Sequence, residues 1–340
     1  MSAYLRLGFA GLVHDHVWDL APQWRETGVE LVAAADPNQP PCARMESEFG
    51  IARTYETIPE MIAAEELDIV QVTTANADHA DAVEAAAAAG AHCLVEKPMA
   101  ATLEQADRML AAAEQAGTRL MINWPITWQP IYKKMREIAA SGAIGRVLQV
   151  KHRGGHSGPR SFGCSEYFTD WLYDAERNGA GAFMDYSGYG VNIVLDYLSD
   201  ATAVYAHAAN LAQSADPVDD NGLMIVKFAN EMALVESTWT EQGAIPWSTF
   251  VLGESGALMA DYRSCDLVQF DRANRAGTPV ECDPMPLGYR NAPEYFVGRL
   301  LADTPIEEPS TAERGRAVQE ILQAGLDSIA DNREVALPLS

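Results

Sequence analysis

Leu5-Arg6-Leu7-Gly8-Phe9-Ala10-Gly11-Leu12-Val13-His14-Asp15-His16 stands near the start of the chain and decides how the rest is read. Residues 5–10 form a short apolar run, Gly11 follows, and a helical pattern occupies residues 17–24. A strand, a glycine turn and a helix in this order hold a dinucleotide pyrophosphate, because backbone N–H donors and the positive helix end face the anion. With Gly11 as the first glycine of GxGxxG, the second and third positions are Val13 and His16. The pattern alone therefore equally describes a βα turn that needs one glycine. Gly11, Leu12, Val13, His14 and His16 are the candidate cofactor-binding residues of this turn.

Working outward, a second apolar run at residues 29–35 ends in Asp36. That carboxylate lies about 20 residues beyond the turn, where it can accept from both ribose hydroxyls and would repel a 2′-phosphate. NAD is thus expected ahead of NADP, although Asp36-Pro37-Asn38 would also serve as a plain turn opener. Residues 67–74, 92–96 and 120–123 read as three further strands. Between the last two, residues 103–116 carry an apolar stripe of Leu103, Ala106, Met109, Leu110 and Ala113, with Thr102 and Gln105 as a capping box and Gly117 as the stop. Strands alternating with helices require crossover connections and hence a parallel sheet covered on both faces. The prediction for residues 1–123 is an α/β, doubly wound Rossmann domain.

The rhythm changes after about residue 124. A helix is expected at 131–140, a strand at 147–152, a glycine-rich loop at 153–163 and two short helical stretches across 170–198. Strands at 222–228, 232–240, 248–253 and 257–262 are joined by short turns, which favours a large, mostly antiparallel open sheet. Ser310 with Glu313 opens a final helix whose Val318, Ile321, Leu322 and Ile329 share one face. Residues 124–340 are accordingly expected to form an α+β domain that binds substrate and carries self-association as a dimer or tetramer.

The 340-residue chain has 24 Lys and Arg against 48 Asp and Glu, a formal net charge of −24. Such a charge repels phosphate backbones and argues against nucleic acid as a partner. No apolar stretch is long enough to cross a bilayer, and no basic leader precedes the first strand, so a cytoplasmic protein without membrane contact is expected. Cys42, Cys93, Cys164, Cys265 and Cys282 lack CxxC spacing, which points to reduced packing residues.

Glu96-Lys97-Pro98 closes the strand at 92–96, placing a lysine at the carboxyl edge of the parallel sheet, where open α/β sheets bind ligands. A solvated surface lysine is the alternative. This motif joins others in order along the chain: Thr74-Ala75-Asn76 with His79, Ala89-Gly90-Ala91-His92, Gly142-Ala143-Ile144-Gly145, Trp171, Gly179-Ala180-Gly181-Ala182-Phe183-Met184-Asp185 and Val335-Ala336-Leu337-Pro338. Together they resemble the Gfo/Idh/MocA oxidoreductases, a family that takes its name from glucose-fructose oxidoreductase, inositol dehydrogenase and a rhizopine-catabolism protein.

The resemblance implies hydride transfer between NAD and a secondary alcohol of a sugar, polyol or glycoside. It places Lys97 against the hydroxyl that is oxidised, with Asp185 and, four residues on, Tyr189 completing the catalytic and substrate-binding set. It also implies cofactor contacts at Thr74, Asn76, His79, Glu96, Lys97 and Trp171. Tyr189 could relay a proton through its phenol, and a lysine amine beside the cationic ring could accept one at neutral pH. Departures from the family pattern are the missing glycines of the turn, Leu172 in place of arginine and Ser187 in place of glycine. Glycoside cleavage through transient oxidation and a non-catalytic dinucleotide-binding role are the alternatives.

His156 in the glycine-rich loop and Trp124 after the last Rossmann strand are further substrate-binding candidates, by hydrogen bonding and by stacking respectively. Each is equally readable as surface crossover or packing. No metal is expected, since no carboxylate or cysteine pattern accompanies His14, His16 and His79 along the sequence.

Overall fold

Alternation of apolar runs with amphipathic helices produces the expected parallel sheet. The computed structural model describes residues 4–212, 216–243, 245–246 and 248–339; residues 1–3, where a leader would begin, lie outside them. Contacts divide the chain into two units. The first comprises Met1–Trp124 with two later segments, Cys164–Gly179 and Leu287–Arg316.

Its strands are β1 (Arg6–Ala10), β2 (Glu30–Ala35), β3 (Thr54–Tyr55), β4 (Ile69–Val72), β5 (His92–Glu96) and β6 (Leu120–Asn123). They pair in parallel in the order β3-β2-β1-β4-β5-β6. Strand order reverses between β1 and β4, and the carboxyl ends of strands at such a reversal frame a ligand crevice. All four residues of β4 are buried, as befits a strand covered on both faces. The run read at 67–74 gives a strand only at Ile69–Val72, and Thr73 and Thr74 leave it to support the turn after β1. The helix Leu103–Ala116 begins at a complete capping box, Thr102 with Gln105, and ends at Gly117 with φ 68°.

The second unit comprises Pro125–Gly163, Ala180–Pro286 and Ala317–Ser340. It holds β7 (Val147–Gly155), β8 (Ala203–Ala209), β9 (Asn221–Lys227), β10 (Met232–Thr238), β11 (Thr249–Gly253), β12 (Gly256–Asp261), β13 (Asp266–Asp271), β14 (Thr278–Pro279) and β15 (Val335–Ala336). The nine-stranded order is β14-β13-β12-β11-β7-β10-β9-β8-β15, antiparallel except for the parallel pair β7 and β10. Parallel pairing is open to β7 because a long crossover follows it.

Three sequence expectations need correction. β7 continues through Arg153, Gly154 and Gly155, because their partners on β10 carry the ladder on to Thr238. Residues 170–198 and their approach hold three helices, Glu166–Leu172, Ala175–Asn178 and Ala182–Val194. The last long helix, Ala312–Asp331, is capped one residue later than expected: the Thr311 hydroxyl, not Ser310, accepts from the Arg314 N–H at 3.1 Å. Among the described residues, no helix is long and apolar enough to cross a membrane.

Candidate active site

Gly11 ends β1 in a left-handed conformation, φ 80°, that L side chains rarely adopt. A Cβ there would stand 2.5 Å from Thr74 Cγ2 and 2.7 Å from Thr74 Cα, so only glycine lets the turn lie against the end of β4. Its carbonyl accepts from the Thr73 hydroxyl at 2.6 Å, and its N–H donates to Ala35 at 2.9 Å. The next N–H, of Leu12, donates to Asp36 Oδ2 at 2.6 Å, while Oδ1 accepts from Asn38 N and Nδ2 at 2.8 Å. Asp36 thus braces the turn and also stands at the carboxyl end of β2, the position of a ribose ligand. Glycine cradle, helix start and carboxylate fit a nicotinamide dinucleotide.

The segment Cys164–Gly179 returns to cover this turn. Ser165 donates from its N and Oγ to the Asp15 carboxylate at 2.7 and 2.5 Å, and Trp171 donates its indole N–H to the Val13 carbonyl at 3.4 Å. The His14 ring packs 4.6 Å from Phe168 and 5.6 Å from Trp171. Burial, followed by the charges of His16, Lys97 and His79, holds the His14 pKa well below that of an ordinary histidine, so the ring is neutral.

Behind the turn, β5 delivers Glu96 and Lys97. Glu96 is completely buried; its Oε2 meets His16 Nδ1 at 2.9 Å and the Lys97 N–H at 3.3 Å, and its Oε1 accepts from the Asn123 amide. Desolvation opposes its ionisation, but His16, Asn123 and Lys97 together hold the carboxyl below its usual range. Lys97 is only 3% exposed.

His14, His16 and Glu96 offer donor atoms within 4.8 Å of one another. Along the sequence no carboxylate accompanies these histidines; the fold brings Glu96 to His16 from 80 residues away. In this structure that carboxylate is engaged by His16 and Asn123.

Asn76 and His79 act as braces. Asn76 Nδ2 donates to Asn178 Oδ1 at 2.8 Å and to its carbonyl at 3.1 Å, and His79 Nδ1 faces the Met99 carbonyl at 3.1 Å. Both are fully buried, and burial lowers the His79 pKa. Trp124 is likewise 0% exposed.

The remaining candidates belong to the second unit. Asp185 stands in the first turn of the helix Ala182–Val194, whose start is held by the Asp219 carboxylate accepting from the N–H groups of Gly181 at 2.8 Å and Phe183 at 2.7 Å. Asp185 Oδ2 accepts from the Trp239 indole at 3.0 Å. Tyr189 lies one turn later with its ring 5.9 Å from Tyr186, and Tyr186 meets the His156 ring edge-on at 5.2 Å. His156 Nδ1 accepts from the Gly158 N–H at 2.9 Å, which fixes the ring. Beneath this helix, buried His152 faces the Thr249 hydroxyl at 2.9 Å, and burial lowers its pKa to about 3. Trp239, Tyr186, Asn123 and Asn178 escaped the sequence reading, since each acquires its role only through a contact distant along the chain.

Two family models match the chain: an oxidoreductase family with an NAD-binding Rossmann fold over residues 7–124, and the GFO/IDH/MocA C-terminal domain over residues 132–259. D-xylose 1-dehydrogenase [NADP(+)] of Haloarcula marismortui is 30% identical over 266 residues, 74% of this chain and 70% of that protein. The chain belongs to the Gfo/Idh/MocA oxidoreductase family. D-apiose dehydrogenase of Paraburkholderia graminis is 36% identical over 145 residues, 42% of this chain but only 37% of its own length. Levoglucosan dehydrogenase, solved in complex with NADH and levoglucosan, shares the fold with a TM-score of 0.84 at 20% identity, covering 99% of this chain and 100% of that one. Gfo/Idh/MocA membership accounts for the doubly wound sheet and the mostly antiparallel sheet in one chain.

Proposed function

We propose that this chain oxidises a secondary alcohol of a sugar or polyol, or runs the reverse reduction, with NAD. The observation that carries this reading is a buried lysine, Lys97, at the end of β5, on the same sheet edge as the Gly11 cradle and the Asp36 carboxylate. The first unit would then hold the dinucleotide, and the second would supply substrate-binding groups. Asp36 supports NAD over NADP, because its carboxylate at the end of β2 would face a 2′-phosphate with like charge.

The bound nicotinamide supplies the acceptor for the hydride leaving the carbinol carbon. The protein's part is the hydroxyl proton. Lys97 receives it as the carbonyl forms; in the second unit Tyr189, with its phenol, is the further proton carrier that the family resemblance assigns, and Asp185 orients the substrate hydroxyls. His156, fixed by Gly158 and packed on Tyr186, adds a donor to the sugar. Glu96, itself held by His16 and Asn123, accepts from the Lys97 backbone N–H and so braces the strand end rather than touching the substrate.

Self-association through the second sheet is supported by Tyr205, Leu223 and Met232, which leave apolar surface of 40%, 43% and 40% exposure on β8, β9 and β10. Cysteines scattered without CxxC spacing suit a reducing, cytoplasmic compartment.

A panel of sugars, polyols and glycosides offered with NAD and with NADP, followed by the absorbance of the reduced nicotinamide, tests the reading. Reduced nicotinamide forming with a free sugar is the expected result. Turnover of a glycoside without its accumulation would instead identify glycoside cleavage by transient oxidation. Dinucleotide binding without turnover across the panel would favour a non-catalytic role.

A further inference from the structure

We infer that Trp239 is a positioning residue for Asp185; the inference rests on the reading of Asp185 as a substrate-orienting group. Trp239 follows β10 directly, and its backbone is fixed before its side chain is considered. Its N–H donates to the Asp220 carbonyl at 2.7 Å. The preceding carbonyl, of Thr238, lies 2.2 Å from where a Cβ on Gly155 would be, so the ends of β10 and β7 meet backbone to backbone.

From this anchored position the indole N–H donates to Asp185 Oδ2 at 3.0 Å, with Trp239 1% and Asp185 6% exposed. The carboxylate is therefore placed from two independent directions. One is the helix start, where Asp219 accepts from the Gly181 and Phe183 N–H groups. The other is the indole. A tryptophan offers one donor and no acceptor, so it can orient a carboxylate but cannot carry a proton to or from it. It sets which carboxylate oxygen faces the helix–sheet junction, and thereby the direction in which the remaining lone pairs address substrate hydroxyls.

The experiment is a double-mutant cycle of Trp239→Phe and Asp185→Asn, read as kcat/KM for the sugar identified by the panel, with NADH affinity measured separately by fluorescence. Trp239→Phe keeps an aromatic ring and removes the donor, so kcat/KM falls by about tenfold to a hundredfold, the range of a hydrogen bond to a charged group. NADH affinity stays within about threefold, since the turn after β1 is untouched. In the Asp185→Asn background the same substitution has little further effect, because the pair acts as a unit. A purely packing role would give additive losses and overturns the inference. Asp185→Asn with native turnover overturns the underlying reading of Asp185 instead. Should Trp239→Phe not fold, the indole 1H–15N resonance of Trp239 decides: it shifts in Asp185→Asn, and an unmoved resonance overturns the contact.

Discussion

Replacing His152 by glutamine separates one buried histidine from everything else that acid does to this protein. His152 lies under the helix that carries Asp185; a Cβ on Gly190 of that helix would already stand 3.1 Å from the imidazole Cδ2. Burial lowers its pKa from 6.5 to about 3. The folded protein therefore keeps the ring neutral, while the unfolded chain binds a proton below the unfolded value. The stability this confers is complete above about pH 6.5 and is lost as pH falls toward 3. Integrated from about pH 7 to about pH 5, that loss is roughly 2 kcal/mol, at 1.36 kcal/mol per pKa unit. Urea unfolding of native protein and His152→Gln at both pH values, followed by tryptophan fluorescence, reads it. The variant starts less stable, but its stability falls by about 2 kcal/mol less over the interval. His14 and His79 remain in both proteins and cancel. Equal losses would show that His152 is not held neutral by the fold.

Two further outcomes follow from the turn after β1. Gly11→Ala places a side chain in a left-handed conformation that costs about 1–2 kcal/mol and pushes it into the Thr74 backbone; NADH affinity by fluorescence titration falls at least about tenfold, and unaltered affinity would mean that the turn does not cradle the dinucleotide. Asp36→Ser removes the charge at the end of β2, so the ratio of NADP to NAD affinity rises by about tenfold or more; an unchanged ratio in paired titrations would remove Asp36 from cofactor choice.

The elements most legible in the sequence were those whose signals are local. The helix Leu103–Ala116 has a stripe, a capping box and a terminal glycine, and each is present where the residues put it. β5 was bounded by its apolar run on one side and Glu96-Lys97 on the other. β3, only two residues long, has no period to read, and β7 ran past its expected end because Gly154 and Gly155 look like loop until Ser237 and Thr238 pair with them.

The candidate site divides in the same way. Gly11 and Asp36 stand out along the chain because a turn and a strand end demand particular residues. The clamps do not: Ser165 reaches Asp15 across 150 positions, Asn178 reaches Asn76 across 102, and His16 meets Glu96 across 80. The return of Cys164–Gly179 to the first unit likewise leaves no local mark, since its helices are short and their apolar faces do not say which sheet they cover.

The central claim is that the Lys97 amine handles the hydroxyl proton, and Lys97→Met addresses it most directly by keeping an unbranched side chain without the amine. Turnover of the sugar identified by the panel is measured beside NADH affinity. The account predicts turnover reduced by about a hundredfold or more with NADH affinity changed less than about tenfold. Native turnover in the variant would contradict it.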